Sequence, residues 1–132
     1  MTTVFLTLLL VLGIATQSLA EWTEVHTQPT GDPRLYADYH TIQGTSVWIL
    51  MDYNTPAYSG SLSTKIQLEF DCPSDRRRIT AYATFSGRMA TGQSLYVETP
   101  SLIALEPFVP VPGGSAAHEI MTHVCPTPDV HF

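Results

Sequence analysis

"LSTKIQLEFDC", Leu62 to Cys72, alternates without a break. Leu62, Thr64, Ile66, Leu68, Phe70 and Cys72 fall on one side; Ser63, Lys65, Gln67, Glu69 and Asp71 fall on the other. A side-chain period of two over this length predicts a β-strand with one face on a core and the other toward water. The following stretch, "RRRITAYATFS" from Arg76 to Ser86, repeats the pattern, with Arg77, Ile79, Ala81, Ala83 and Phe85 opposed to Arg78, Thr80, Tyr82 and Thr84. Paired as a hairpin, the apolar sides match when Leu68 faces Ile79, Ile66 faces Ala81 and Leu62 faces Phe85. The outer side then sets Asp71 against Arg76, Glu69 against Arg78 and Lys65 against Tyr82. A slip of one residue would put Leu68 opposite Thr80 and lose the core pattern. Pro73-Ser74 is not a favoured two-residue hairpin turn, so the connection is expected to be longer or bulged.

This register decides how the arginine run reads. Arg76 and Arg78 meet carboxylates, in cross-strand pairs that stabilise by roughly 0.2–1 kcal/mol each. Arg77 belongs to the inward set, close to Cys72. Its stem is expected to cover the core's edge, with its head on Asp75 or a backbone carbonyl; an anion contact is the alternative.

Working outward, "EWTEVH" reads as a short first strand and "TQPTGDPR" as a turn region. "LYADYHTIQGTSVWILMDY" reads as two strands joined at Gly44. The second of these, Val47 to Tyr53, is apolar on both sides. It is expected to be central, or to leave its aromatic side open. After the turn "GRMATG", "QSLYVE" is a further strand. "PSLIALEPFVPVPGG" carries Pro100, Pro107, Pro110 and Pro112 and reads as an extended crossing segment. "SAAHEIMTHVC" is helical, with Ser115 as N-cap and Ala117, Ile120, Met121, Val124 and Cys125 along one stripe. The expected fold is α+β: a meandering antiparallel sheet of about six strands, with one C-terminal helix packed on it and tethered by a disulfide.

The first twenty residues stand outside that fold. "VFLTLLLVLGIA" is followed by Ser18 and Ala20, small residues three and one before Glu21, which is the pattern of a cleaved export signal. Residues 1–20 are therefore expected to be removed between Ala20 and Glu21, leaving one domain over 21–132, periplasmic or secreted. No cysteine ends the leader, so no lipid anchor is expected. In an oxidising compartment Cys72 and Cys125, the only cysteines, are expected to pair.

Charge and chemistry narrow the function. With six Lys/Arg against twelve Asp/Glu the chain carries a formal charge of −6, which offers no basic excess for nucleic acid. Two cysteines and scattered histidines (His26, His40, His118, His123, His131) make no metal-ligand pattern, and His118 and His123 do not share a helix face. No phosphate loop, nucleophile–base pair or cofactor motif is legible, so neither an enzyme nor a cofactor is expected. Aromatic residues remain. Tyr36, Tyr39, Tyr53, Tyr58, Tyr82 and Tyr96, with two tryptophans, exceed what one small core needs. Trp48, on the outer side of Val47–Tyr53, together with Tyr82 makes the candidate protein-binding surface, and Arg77 is a further candidate contact.

The ordered features Trp22, Val47-Trp48, Asp52-Tyr53, Leu62-Ser63, Lys65, Asp71-Cys72, Arg76 to Arg78, Thr91-Gly92 and Cys125 resemble the surface-adhesin protein E family of Proteobacteria, over nearly all of the chain after the leader. The resemblance implies an antiparallel sheet with a C-terminal helix held by a Cys72–Cys125 disulfide. It also implies adhesin-like binding of host matrix and plasma proteins, and self-association into a homodimer. The expected function is an exported, non-enzymatic protein-binding domain. The alternative is a periplasmic structural or envelope-associated protein with no host ligand.

Overall fold

A computed structural model describes residues 20–25, 32–57, 59–98 and 106–126. The leader before Ala20, the turn residues 26–31, Tyr58, Pro100, His26 and His131 lie outside the described residues. In chain order the elements are β1 (Thr23–Glu24), β2 (Arg34–Gln43), β3 (Ser46–Asp52), β4 (Ser63–Asp71), β5 (Arg76–Phe85), β6 (Ser94–Glu98), β7 (Val109–Pro110) and α1 (Ala116–Val124). The strands form one antiparallel sheet in the order β1-β2-β3-β4-β5-β6, with β7 also paired to β5. This is the meander the alternation predicts, since short connections favour pairing of neighbours. Gly44, at φ 59°, opens the two-residue turn between β2 and β3, where a side chain would be strained.

β4 and β5 pair in the expected register only near their turn. Asp71 faces Arg76, Glu69 faces Arg78 and Leu68 faces Ile79, but then Gln67 faces Ala81 and Ile66 faces Tyr82. Thr80 is the extra residue of a β-bulge. It is buried, and its hydroxyl lies 3.1 Å from the Gln67 Oε1 acceptor, so the side-chain amide of Gln67 satisfies a residue the ladder leaves unpaired. The expected pairs Ile66–Ala81, Leu62–Phe85 and Lys65–Tyr82 are thereby overturned: Lys65 faces Ala83, and Phe85 faces Ser63. Past the bulge every β5 side chain changes face. The connection is a single 3-10 turn over Cys72–Ser74, closed by Asp75 in the left-handed region, which agrees with the expected departure from a two-residue turn.

α1 covers one sheet face. Ser115 caps it, its Oγ accepting from the His118 N–H at 3.2 Å and donating to the Pro112 carbonyl at 2.7 Å. Ile120, Met121 and Val124 are buried in one cluster with Leu35, Ala37, Val47, Ile49, Leu68 and Phe70 from the sheet. Cys72 and Cys125 form a disulfide with Cα atoms 5.7 Å apart, joining the end of β4 to the end of the helix. The segment expected to cross in extended form does so between 106 and 112, and Val109–Pro110 adds a two-residue pairing with Arg77 and Arg76. Proline is tolerated there because the strand is at the sheet's edge.

Candidate binding surfaces

The face away from α1 begins at β3, where Trp48 and Leu50 point opposite to Val47 and Ile49. Leu50 is fully buried and Trp48 is half-buried, so this face is covered at one end and open at the other. At the open end Lys65 of β4 sets its ammonium 4.9 Å from the centre of the Trp48 ring, a cation–π contact. The Trp48 backbone N–H leaves the ladder and donates to the Thr41 Oγ at 3.0 Å, at the irregularity between β2 and β3. Trp22, Asp38, His40 and Thr41, with Ala20 and Glu21 at the chain's entry, complete a cleft of about 460 Å³ against Trp48 and Lys65, and cleavage after Ala20 would open its Ala20 edge.

Asp38 is buried beside this cleft. Its two carboxylate oxygens accept the Glu21 N–H and the His40 N–H, each at 3.1 Å. His40 Nδ1 lies 3.2 Å from Glu21 and 3.6 Å from Asp38. The chain's entry into the fold is thus tied to β2 by polar contacts at the rim of an aromatic depression. A second hollow of about 500 Å³ adjoins it, sharing Trp22 and Lys65 and bounded by Phe85 and by Met89 to Thr91.

The covered end of the face is held by the loop between β5 and β6. Asp52 is buried at the end of β3 and accepts the Met89 N–H at 2.8 Å and the Arg88 Nε at 3.2 Å. Ser63, fully buried, accepts from the Ala90 N–H at 2.9 Å and donates to the Gly87 carbonyl at 2.6 Å. Met89 and Ala90 hold φ of 53° and 58°, a strained region for residues with a Cβ. Gly87 and Gly92 leave room where the loop closes on Thr91 and Ser86, since a Cβ on either would approach within 2.5 and 2.4 Å. Replacing Asp52 with Ala removes the acceptor of the part-buried Met89 N–H and the partner of Arg88, at a cost of about 2 kcal/mol. Thermal unfolding should show that loss, and trypsin should cut after Arg88 faster than in the parent. Unchanged cutting would mean that the loop holds its shape without Asp52.

The sequence-derived site residues do not converge. Trp48 faces outward as expected, but the β-bulge turns Tyr82 to the α1 side, opposite Ile66, so the two cannot share a surface. Tyr82 instead lies beside Tyr96 of β6, ring centres 5.6 Å apart. The Tyr96 hydroxyl donates to Glu98, and that bond to a carboxylate pushes its pKa up to about 12. Leu95, Tyr96 and Val97 are all exposed on β6. Arg78 binds Glu69 at 3.1 Å and lies over the Phe108 ring, whereas Asp71 and Arg76 face each other without an ion pair. Arg77 is half-buried on the helix side. It makes no ion pair or side-chain hydrogen bond with a described residue, so the expected bond to Asp75 or a carbonyl is absent.

Asp52 stands opposite Ser63 at the start of β4 and Asp71 ends that strand opposite Arg76, so the two carboxylates lie a strand's length apart. His123 stacks on Tyr39 at 4.1 Å, and burial, reinforced by Glu119, raises the Tyr39 pKa. Among the described residues no three His, Cys, Asp or Glu side chains gather in a metal-holding group. Lys65 and Trp22 were not singled out as contacts by sequence reasoning. The outward parity of Lys65 and Trp48 on adjacent strands was the available signal.

No described helix is long and apolar enough to cross a membrane. No curated protein and no solved structure matches the chain. The sequence model of the family described as Surface-adhesin protein E matches residues 22–126, from the tryptophan at the open face to the residue after the disulfide, and the chain belongs to that family.

Proposed function

We propose that this chain is an exported, non-enzymatic protein-binding domain of adhesin type, and that the open face around Trp22, Trp48 and Lys65 is its contact surface. Family membership over 22–126 carries the reading. The face supplies what protein interfaces favour: half-buried tryptophans with a flanking cation and an acidic rim, on a sheet rigid enough to hold them. Export with cleavage after Ala20 belongs to the same reading. Cleavage would turn the Glu21 nitrogen, 3.1 Å from Asp38, into an ammonium and make that hydrogen bond a charge-assisted one.

The test combines N-terminal sequencing of the exported protein with binding of the purified domain to immobilised matrix and plasma glycoproteins. Sequencing should begin at Glu21. Retention on at least one such glycoprotein should fall at least about tenfold in Trp48→Ala, the loss typical of a central aromatic contact. Retention unaffected by Trp48→Ala would place the contact elsewhere. Absence of retention, with capture of envelope components alone, would favour a periplasmic structural role.

A further inference from the structure

α1 is anchored at its C-terminal end by the disulfide and by Met121 and Val124, but its first turn carries only Ala116 and Ala117 toward the sheet. Beneath those alanines a cleft of about 460 Å³ remains, floored by Met51, Ile66 and Ile79, all partly buried. Its volume is within the roughly 300–1,000 Å³ of small-molecule sites. Among the described residues its lining is apolar apart from Ser115 and Arg77, and none of them is a carboxylate. Arg77, two residues along β5 from Ile79, is the last helix-side residue before the turn, and so closes one end of this floor.

Elsewhere guanidinium groups meet carboxylates: Arg78 pairs with Glu69 on the outer face, and the exposed Arg88 pairs with the buried Asp52. Arg77 has no such partner among the described residues, although it is half-buried against apolar side chains. A guanidinium with no carboxylate partner among the described residues, at the end of an apolar cleft, is complementary to a molecule with an apolar tail and an anionic end.

We propose that this cleft binds a small amphipathic anion, an unbranched acyl chain ending in a single carboxylate. The chain lies over Met51, Ile66 and Ile79 beneath the two alanines, and the carboxylate pairs with Arg77. The site is on the opposite side of the sheet from Trp48, so it stands or falls independently of the adhesin reading.

The test is calorimetric titration of the disulfide-intact mature chain with laurate below its micellar concentration, with dodecanol as the uncharged counterpart. Laurate should bind saturably at one per chain. Arg77→Gln should weaken it by about tenfold or more while leaving the weaker binding of dodecanol unchanged. Ala117→Phe, which fills the cleft, should abolish both. Should Ala117→Phe fail to fold, the Arg77→Gln comparison still decides, because Arg77 is half-exposed and supports no other described group. Absence of saturable laurate binding, or equal affinity in Arg77→Gln, overturns the proposal. So does sedimentation with phosphatidylglycerol vesicles by a protein that takes up no free laurate, since that would be a membrane surface and not this cleft.

Discussion

Replacing both Cys72 and Cys125 with serine is expected to lower the stability of the folded domain by about 4 kcal/mol. The disulfide closes a loop of 53 residues in sequence separation, and the chain-entropy model gives about this figure for such a loop. Net stability of a small domain is only ~5–15 kcal/mol, so the change is a large share of the whole. It also acts where packing is thinnest. The helix has nine residues, too short to hold itself in water, and its buried residues are grouped around Ile120, Met121 and Val124. With the tether gone, undocking of the helix exposes Phe70, Leu68 and Val47 together. Urea unfolding of the double variant should show the loss. The melting temperature should drop by on the order of 15 °C, at roughly 4 °C per kcal/mol for a domain of this size. A drop worth less than about 1 kcal/mol would show that burial alone docks the helix, and that the disulfide only follows from proximity.

Truncating Phe70 to Ala is expected to cost about 4 kcal/mol, within the range for removing a buried aromatic ring. Phe70 is 2% exposed and is the largest of the fully buried side chains. It lies two residues before Cys72 on the helix side of β4, so its ring fills the space immediately beside the staple. Its backbone N–H donates to the Thr45 carbonyl at 2.9 Å, and that bond survives the substitution, which isolates the packing term. Equilibrium unfolding of Phe70→Ala in the oxidised protein is the measurement. Because Phe70 and the disulfide support the same helix, the cost should be sub-additive when combined with the double serine variant. Full additivity would mean that the ring packs on the sheet without help from the helix.

Much of this architecture was legible in local pattern. The period of two in Leu62–Cys72 specified a half-buried strand, and the structure places Leu68 and Phe70 in the core with Glu69 and Asp71 outside. Ser115 followed by two alanines and an apolar stripe specified a capped helix, and the cap is made. In each case the information is carried by neighbours within one turn or one strand, where covalent geometry sets the period.

The candidate site was legible only in part. Trp48 and its outward face follow from parity on β3, and so does Lys65 on β4. Tyr82 was assigned to the same face because a strand's alternation continues until something interrupts it. The interruption is Thr80, and nothing in "RRRITAYATFS" marks it. Threonine suits a regular strand, and the bulge is stabilised by the Gln67 side chain on another strand. Asp52 likewise read as one acidic strand residue, but its role depends on a loop 36 and 37 residues away.

The sequence by itself determined the sheet meander, the capped helix, the pairing of Cys72 with Cys125 and the family, because periodicity, capping chemistry and cysteine count are local or arithmetical. The tertiary structure alone decided which face each β5 residue presents, what holds the loop of Arg88 to Thr91, and where Arg77 lies. Those depend on one inserted residue and on contacts between distant strands. A single bulge reverses the facing of every residue beyond it, and pattern reading carries no signal of that reversal until the partner strand is in place.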